Sequence, residues 1–131
     1  MDKYIVAGKL NKKELDFIRK KNPGLADRIK DNSVIMWDDR RAHIEKHRPN
    51  FKRIDDLDKY IGAISDIISK PDFIGIRNSD SSLQFIKQFD DNVLVAVRVT
   101  TTGILSVRTM YPITDSQISD YIRKGTAWRY S

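Results

Sequence analysis

His43 and His47, the only two histidines in a chain of 131 residues, lie four apart in "RRAHIEKHRPNF", the densest run of arginine and lysine in the sequence. Imidazole titrates at about 6.5, so it gives and takes protons near neutral pH. On a helix, residues i and i+4 share a face, which predicts that both rings point into one space with Arg40 one turn before them. From Arg40 to Arg53 the cations Arg40, Arg41, Lys46, Arg48, Lys52 and Arg53 meet a single acid, Glu45, while the rest of the chain nearly balances within a net charge of +6. A concentrated patch of this kind favours a polyanionic partner such as nucleic acid, although a solvated helix face has the same composition.

Three chemistries suit the pair. In a zinc site of the H-E-x-x-H type the glutamate follows the first histidine directly. Here Glu45 is displaced by one position, about 100° around a helix, and no cysteine or third histidine is present to complete a shell. The surrounding cations also oppose a divalent ion, so no metal or other cofactor is expected. Metal-free acid–base catalysis needs a base, an acid and positive charge for a phosphorane, and the cluster supplies all three. Phosphate binding without chemistry is the third reading. A purely structural one, with one ring capping or buried and the other solvated, stands beside them.

A second group of candidates lies in "VLVAVRVTTTGILSVRTMY". Val93, Val95, Val97 and Val99 alternate and are expected in the core, so Arg98 projects from the opposite face. An even turn puts Thr109 and Tyr111 beside Arg98 and sends Arg108 to the core side. An odd turn swaps Arg108 in. An ordinary solvent-facing strand has the same residue types.

The elements that must position these groups follow from periodicity. "YIVAG" is a short apolar opening. A helix capped by Asn11 carries Leu15 and Ile18 and stops at Pro23–Gly24. "SVIMW" reads as a short strand or extended segment and runs into a helix capped by Asp38 or Asp39 and ended by Pro49. Leu57, Tyr60, Ile61, Ile64, Ile67 and Ile68 keep the 3.6-residue period of one continuous helix closed by Pro71. After it come four short strands rich in β-branched and aromatic residues, then a helix from Thr114 or Asp115 to Gly125. The expectation is a single α+β domain over residues 1–131, with N-terminal helices packed on an antiparallel meander of about four strands and a short C-terminal helix. The lack of cysteine excludes disulfides and thiolate metal sites. The apolar runs are far shorter than the roughly 20 residues of a membrane helix, and "MDKYIVAGKL" is unlike a secretory leader, so a soluble cytoplasmic protein with no membrane partner is expected.

"HIEKHRPNF", the "IISKPDFIG" junction, "SLQFIK" and the "VLVAVRV…LSVRTMY" hairpin together resemble the BECR nuclease fold, named for barnase, EndoU, the colicin ribonucleases and RelE. The likeness is greatest to its phage-associated branch, PBECR, found in prophage, mobile-element and polymorphic toxin proteins. It spans roughly residues 35 to 112. The resemblance implies a metal-independent endoribonuclease, toxin-like, cleaving RNA by 2′-O-transphosphorylation to a 2′,3′-cyclic phosphate. tRNA is one candidate target, and a cognate immunity or antitoxin protein is an implied partner. It assigns catalysis to His43, His47, Arg98, Thr109 and Tyr111, and substrate binding to Arg40, Arg41, Lys46, Arg48, Lys52 and Arg108. One departure is that many relatives carry arginine immediately before the second histidine, where this chain has Lys46. The alternative is a non-catalytic basic protein of a phage or mobile element that binds nucleic acid or a host protein.

Overall fold

In the computed structural model, which describes residues 3–131, the chain begins with strand β1 (Tyr4–Lys9) and helix α1 (Lys12–Lys21). Asn11 caps α1 as expected: its side chain accepts from the Glu14 N–H at 2.8 Å, and Glu14 accepts from the Asn11 N–H at 3.1 Å. Each satisfies an amide that the first helical turn leaves without a partner. Pro23 does not lead into coil. With its fixed φ it takes the first position of a second short helix, α2 (Pro23–Arg28), capped by the Asn22 side chain on the Leu25 N–H at 3.0 Å.

Next are β2 (Ser33–Trp37), α3 (Asp38–Glu45), a 3₁₀ turn (Arg48–Asn50), α4 (Asp56–Gly62) and α5 (Ile64–Ser69). The long periodic segment is thus two helices rather than one. They break at Ala63, which has φ −100° and ψ 4°, directly after Gly62, a poor helix former. α3 is also shorter than expected. Trp37 occupies its cap position without a side-chain bond, Asp38 and Asp39 lie in its first turn, and the helix ends at Glu45, before His47.

The remaining elements are β3 (Phe73–Arg77), β4 (Ser82–Gln88), β5 (Asn92–Val99), β6 (Leu105–Ile113), α6 (Asp115–Arg123) and β7 (Ala127–Arg129). The four-stranded meander β3–β6 is present, but the sheet has seven strands, in the order β1-β2-β6-β5-β4-β3-β7. β2 joins β6 in parallel, and β7 adds to the free edge of β3. The extended reading of "SVIMW" is met by β2, but no local pattern announces its parallel partner or the strand β7, because a strand at a sheet edge is fixed by the partner it meets and not by its own periodicity. Among the described residues no helix is long and apolar enough to cross a membrane.

One sheet face carries the main core. Val93, Val95, Val97 and Val99 are at most 1% exposed and pack with Ile18 of α1, Ile44 of α3, Leu57 and Tyr60 of α4, and the α5 isoleucines. The opposite face is not wholly a solvent face. Leu94 and Ala96 are buried there with Phe73, Ile86 and Ile113 under Ile118 of α6. α6 covers only this apolar half, and the other half of the face holds the polar strand residues.

Candidate functional site

α3 follows β2 without a linker, and because β2 runs beside β6, the helix is laid against β6. Ile44, fully buried, anchors it and directs His43 and Arg40, both half-buried, along its flank. Although His47 lies beyond the last helical turn, the imidazoles stay neighbours, with ring centroids 6.3 Å apart at 78°. His47 also contacts Tyr111 of β6, centroids 5.5 Å apart at 44°. The helix and the strand therefore bring together three of the residues singled out in the sequence.

The β5–β6 hairpin answers the question of parity in an unexpected way. Val99 pairs with Leu105 and Arg98 with Ser106, the odd-loop register that puts Arg108 on the Arg98 side. The register then shifts between Ala96 and Val97, so that Ala96 pairs with Thr109 and Leu94 with Tyr111. A β-bulge inserts one residue on β6 and changes the parity midway along the strand. Arg98, Arg108, Thr109 and Tyr111 thus lie on one face, where either uninterrupted register would have excluded part of the set.

Across that face, Ser82 pairs with Arg98 and with Arg77, and Gln84 with Ala96 and Gly75. Asp80, in the turn after β3, is ion-paired with Arg108 and lies 4.0 Å from Arg77. Its carboxyl sits below the usual carboxylate range: burial opposes the shift, but the adjacent Ser82 hydroxyl and the charges of Arg108 and Arg77 outweigh it. The Ser82 and Thr109 hydroxyls and one Asp80 oxygen are buried without a hydrogen-bond partner. Polar groups in that state are costly unless a ligand or solvent meets them. Asp80, Ser82 and Arg77 carry no signal in the sequence, since nothing in "RNSDSS" distinguishes a site from a turn.

The cations fall into different states. Arg98 has no ion pair or side-chain hydrogen bond among the described residues, and Arg40 has only the neighbouring Asp39 at 3.4 Å. Both line a cleft of about 430 Å³ with Arg108 and Ser106. Arg41 and Lys46 are exposed on α3 and just after it. Arg48, by contrast, is fully engaged. It is ion-paired with Glu45, bonded to Asp58 at 2.9 and 3.1 Å, and donates to the Ile54 carbonyl at 2.6 Å. Lys52 is drawn to the far side of His47, where it donates to the Asp90 carbonyl.

Besides Asp80, two more proton affinities in the site are displaced. His47 is held below the usual imidazole value, by burial first, then by His43 and then by Lys46. The Tyr111 hydroxyl is raised above the usual phenol value, mainly by burial and next by Tyr121, with Arg77 and Arg108 opposing. Among the described residues no three His, Cys, Asp or Glu side chains are grouped to hold a metal ion.

One sheet face is buried under helices, and the open half of the other gathers tyrosine and an arginine unpaired among the described residues near the two histidines, an arrangement compatible with a protein that acts on phosphate esters. The sequence pattern of the family described as phage-Barnase-EndoU-ColicinE5/D-RelE like nuclease3 matches residues 19–120, more than half of the chain, and the protein belongs to this nuclease family. No curated protein and no solved structure matches it.

Proposed function

We propose that the protein is a metal-independent endoribonuclease that cleaves RNA by attack of the 2′-hydroxyl on the adjacent phosphate, leaving a 2′,3′-cyclic phosphate and a 5′-hydroxyl. The observation carrying this reading is the contact of His47 with both His43 and Tyr111, with Arg40 one turn before His43 on α3 and Arg98 farther along the same β5–β6 face as Tyr111. His47, whose proton affinity is lowered, is the neutral imidazole at neutral pH and takes the 2′-proton. His43 then serves as the acid that protonates the leaving 5′-oxygen. Arg98 and Arg40 face the phosphate, with Arg98 stabilising the charge that builds on the non-bridging oxygens. Thr109 and Tyr111 donate hydroxyl hydrogen bonds from β6, and Arg41 and Lys46 hold flanking phosphates. Acting on the RNA of a target cell, such an enzyme is toxin-like, and the cell producing it would need a cognate inhibitor protein.

The test is incubation with total RNA in EDTA. Cleavage is expected, and it should be lost in His43→Ala and His47→Ala, with the double variant scarcely worse than the poorer single one. RNA that stays intact but is retarded on a gel would mark a binding protein instead. Activity abolished by chelator and restored by zinc would overturn the acid–base assignment.

A further inference from the structure

The open sheet face does not end at the arginines. Arg98 pairs with Ser106, Ser106 with Ile35, and Ile35 with Val6, a row that crosses from β5 over β6 and β2 to the edge strand β1. Residues paired in this way point to the same side of a sheet. Beside the row, Tyr4 of β1 pairs with Trp37 of β2. The face is therefore cationic at its centre and apolar at its β1–β2 end, where Tyr4 is 54% and Val6 58% exposed. Neighbouring apolar side chains left open in this way mark a contact surface.

Trp37 joins the two ends. It lines the cleft that holds Arg40, Arg98 and Arg108, and its ring centroid lies 5.0 Å from that of Tyr4, with the planes at 66°. In such an edge-to-face pair one ring keeps both of its faces clear of the other. Trp37 is also the residue before α3, six positions and about 9 Å along the helix axis from His43. The Lys3 carbonyl accepts from the Asp38 N–H at 3.0 Å, so the start of β1 is tied to the helix that carries Arg40 and His43. Two acids temper the cleft: Asp39 is 3.4 Å from Arg40, and Asp80 is paired with Arg108. Arg98 supplies its uncompensated charge. A chain of phosphates that follows this cleft away from the histidines arrives at the aromatic pair.

We propose that Tyr4 and Trp37 form a platform on which an unpaired base stacks, in a single-stranded RNA whose backbone follows the arginine cleft. The proposal rests on the RNase reading above and adds where the strand runs from the scissile phosphate. The surroundings name the occupant, since the platform is continuous with a cleft that attracts phosphates, and a nucleic-acid strand brings a flat ring with each charge. Stacking tolerates any base, because every base has a π-face, so the platform selects for an exposed base and not for its identity. A second copy of the chain fits less well. Paired antiparallel along β1 it would set Lys3 of one chain beside Lys9 of the other, like charge against like. β1 lies outside residues 19–120, so Tyr4 and Val6 are additions to the pattern that the family shares.

The test compares two strands of about ten nucleotides. One is an oligoadenylate with methylated 2′-hydroxyls, which 2′-attack cannot cut, and the other keeps the same backbone but lacks bases. Dissociation constants are measured for the full chain and for Trp37→Ala and Tyr4→Ala. Trp37→Ala should weaken binding of the oligoadenylate about fivefold or more, the least that one stacked base contributes, and leave binding of the baseless strand unchanged. Tyr4→Ala should do the same by a smaller factor. Equal losses on the two strands, or no loss on either, would overturn the platform. Should Trp37→Ala fail to fold, Tyr4→Ala, at an exposed position, decides by the same criterion. Fluorescence of Trp37 in Trp128→Phe, which removes the other tryptophan, gives a second measure. Quenching by the oligoadenylate and not by the baseless strand supports stacking, and the lack of that difference refutes it. A chain that sediments as a dimer, becomes monomeric in Val6→Glu and keeps its oligoadenylate affinity would assign the face to a second copy and overturn the proposal. Incubation with total RNA in EDTA separates the two readings. Base-dependent binding without cleavage keeps the platform and sinks the RNase assignment, whereas cleavage at the parent rate in Trp37→Ala, with no base-dependent binding, does the reverse.

Discussion

At the scale of single residues, Arg98 and Arg108 share a face but not an electrostatic state. Arg108 is already paired with Asp80, whereas Arg98 has no ion pair or side-chain hydrogen bond among the described residues, and in the proposed mechanism it meets charge that appears only in the transition state. Loss of a preorganised donor costs about 10²- to 10³-fold in rate. Arg98→Ala should slow single-turnover cleavage by that order with little loss of binding, and Arg108→Ala should cost clearly less. The reverse ranking would make Arg108 the transition-state contact. A second expectation concerns Lys46. Its charge is the third of three causes that hold His47 low, after burial and His43. In Lys46→Gln the proton affinity of His47 rises. A base must be deprotonated to act, so the ascending limb of the kcat–pH profile should move to higher pH. A shift to lower pH would show that His47 is not the base.

At the scale of elements, the first turn of α1 and the β5–β6 turn hold features that the sequence only half disclosed. Asn11 and Glu14 form a capping box, but Glu14 is also fully buried with one oxygen unpartnered, and burial pushes its carboxyl up from 4.5 to about 7 against the opposing Asn11 bond. The folded state therefore binds the proton more tightly than the unfolded chain. The stabilisation is present below about pH 4.5 and lost as pH rises through about 7. Glu14→Gln keeps an acceptor for Asn11 and cannot titrate. Its stability, followed by urea denaturation, should flatten over that window relative to the parent, and an identical pH slope in both would disprove the shift. In the hairpin, Gly103 has φ +87°, and an added Cβ would come within 2.6 Å of the Arg28 carbonyl oxygen. Gly103→Ala should cost more than about 1 kcal/mol of stability, readable as a lower urea midpoint with an unchanged slope.

At the scale of the whole molecule, charge is partitioned between holding the fold and holding a ligand. The basic cluster counted in the sequence is not uniformly available to a ligand, because Arg48 is bound to Glu45, Asp58 and the Ile54 carbonyl. Each phosphate contact contributes roughly one unit to the salt dependence of binding. Arg40→Ala should lower the slope of log K against log salt by about one. Arg48→Ala should leave that slope unchanged and lower the melting temperature, since it removes a clamp between the 3₁₀ turn and α4. An equal change of slope in both variants would show that Arg48 releases its carboxylates to bind RNA.

By itself the sequence determined what local chemistry controls. The capping box at Asn11, the valine stripe of β5, the meander β3–β6 and the reach of His43 toward His47 all depend on residues close along the chain. Only the tertiary structure decided the rest. β1, β2 and β7 are strands because partners distant in sequence complete their hydrogen bonds, and β7 follows a helix that periodicity had placed last. The bulge on β6 put Arg98, Arg108, Thr109 and Tyr111 on one face, an outcome that loop length alone could not fix, since one inserted residue reverses every side chain after it. Asp80 and Ser82 carried no signal of their own, because a polar residue in a turn or at an element's start satisfies the same local pattern whatever the fold brings beside it.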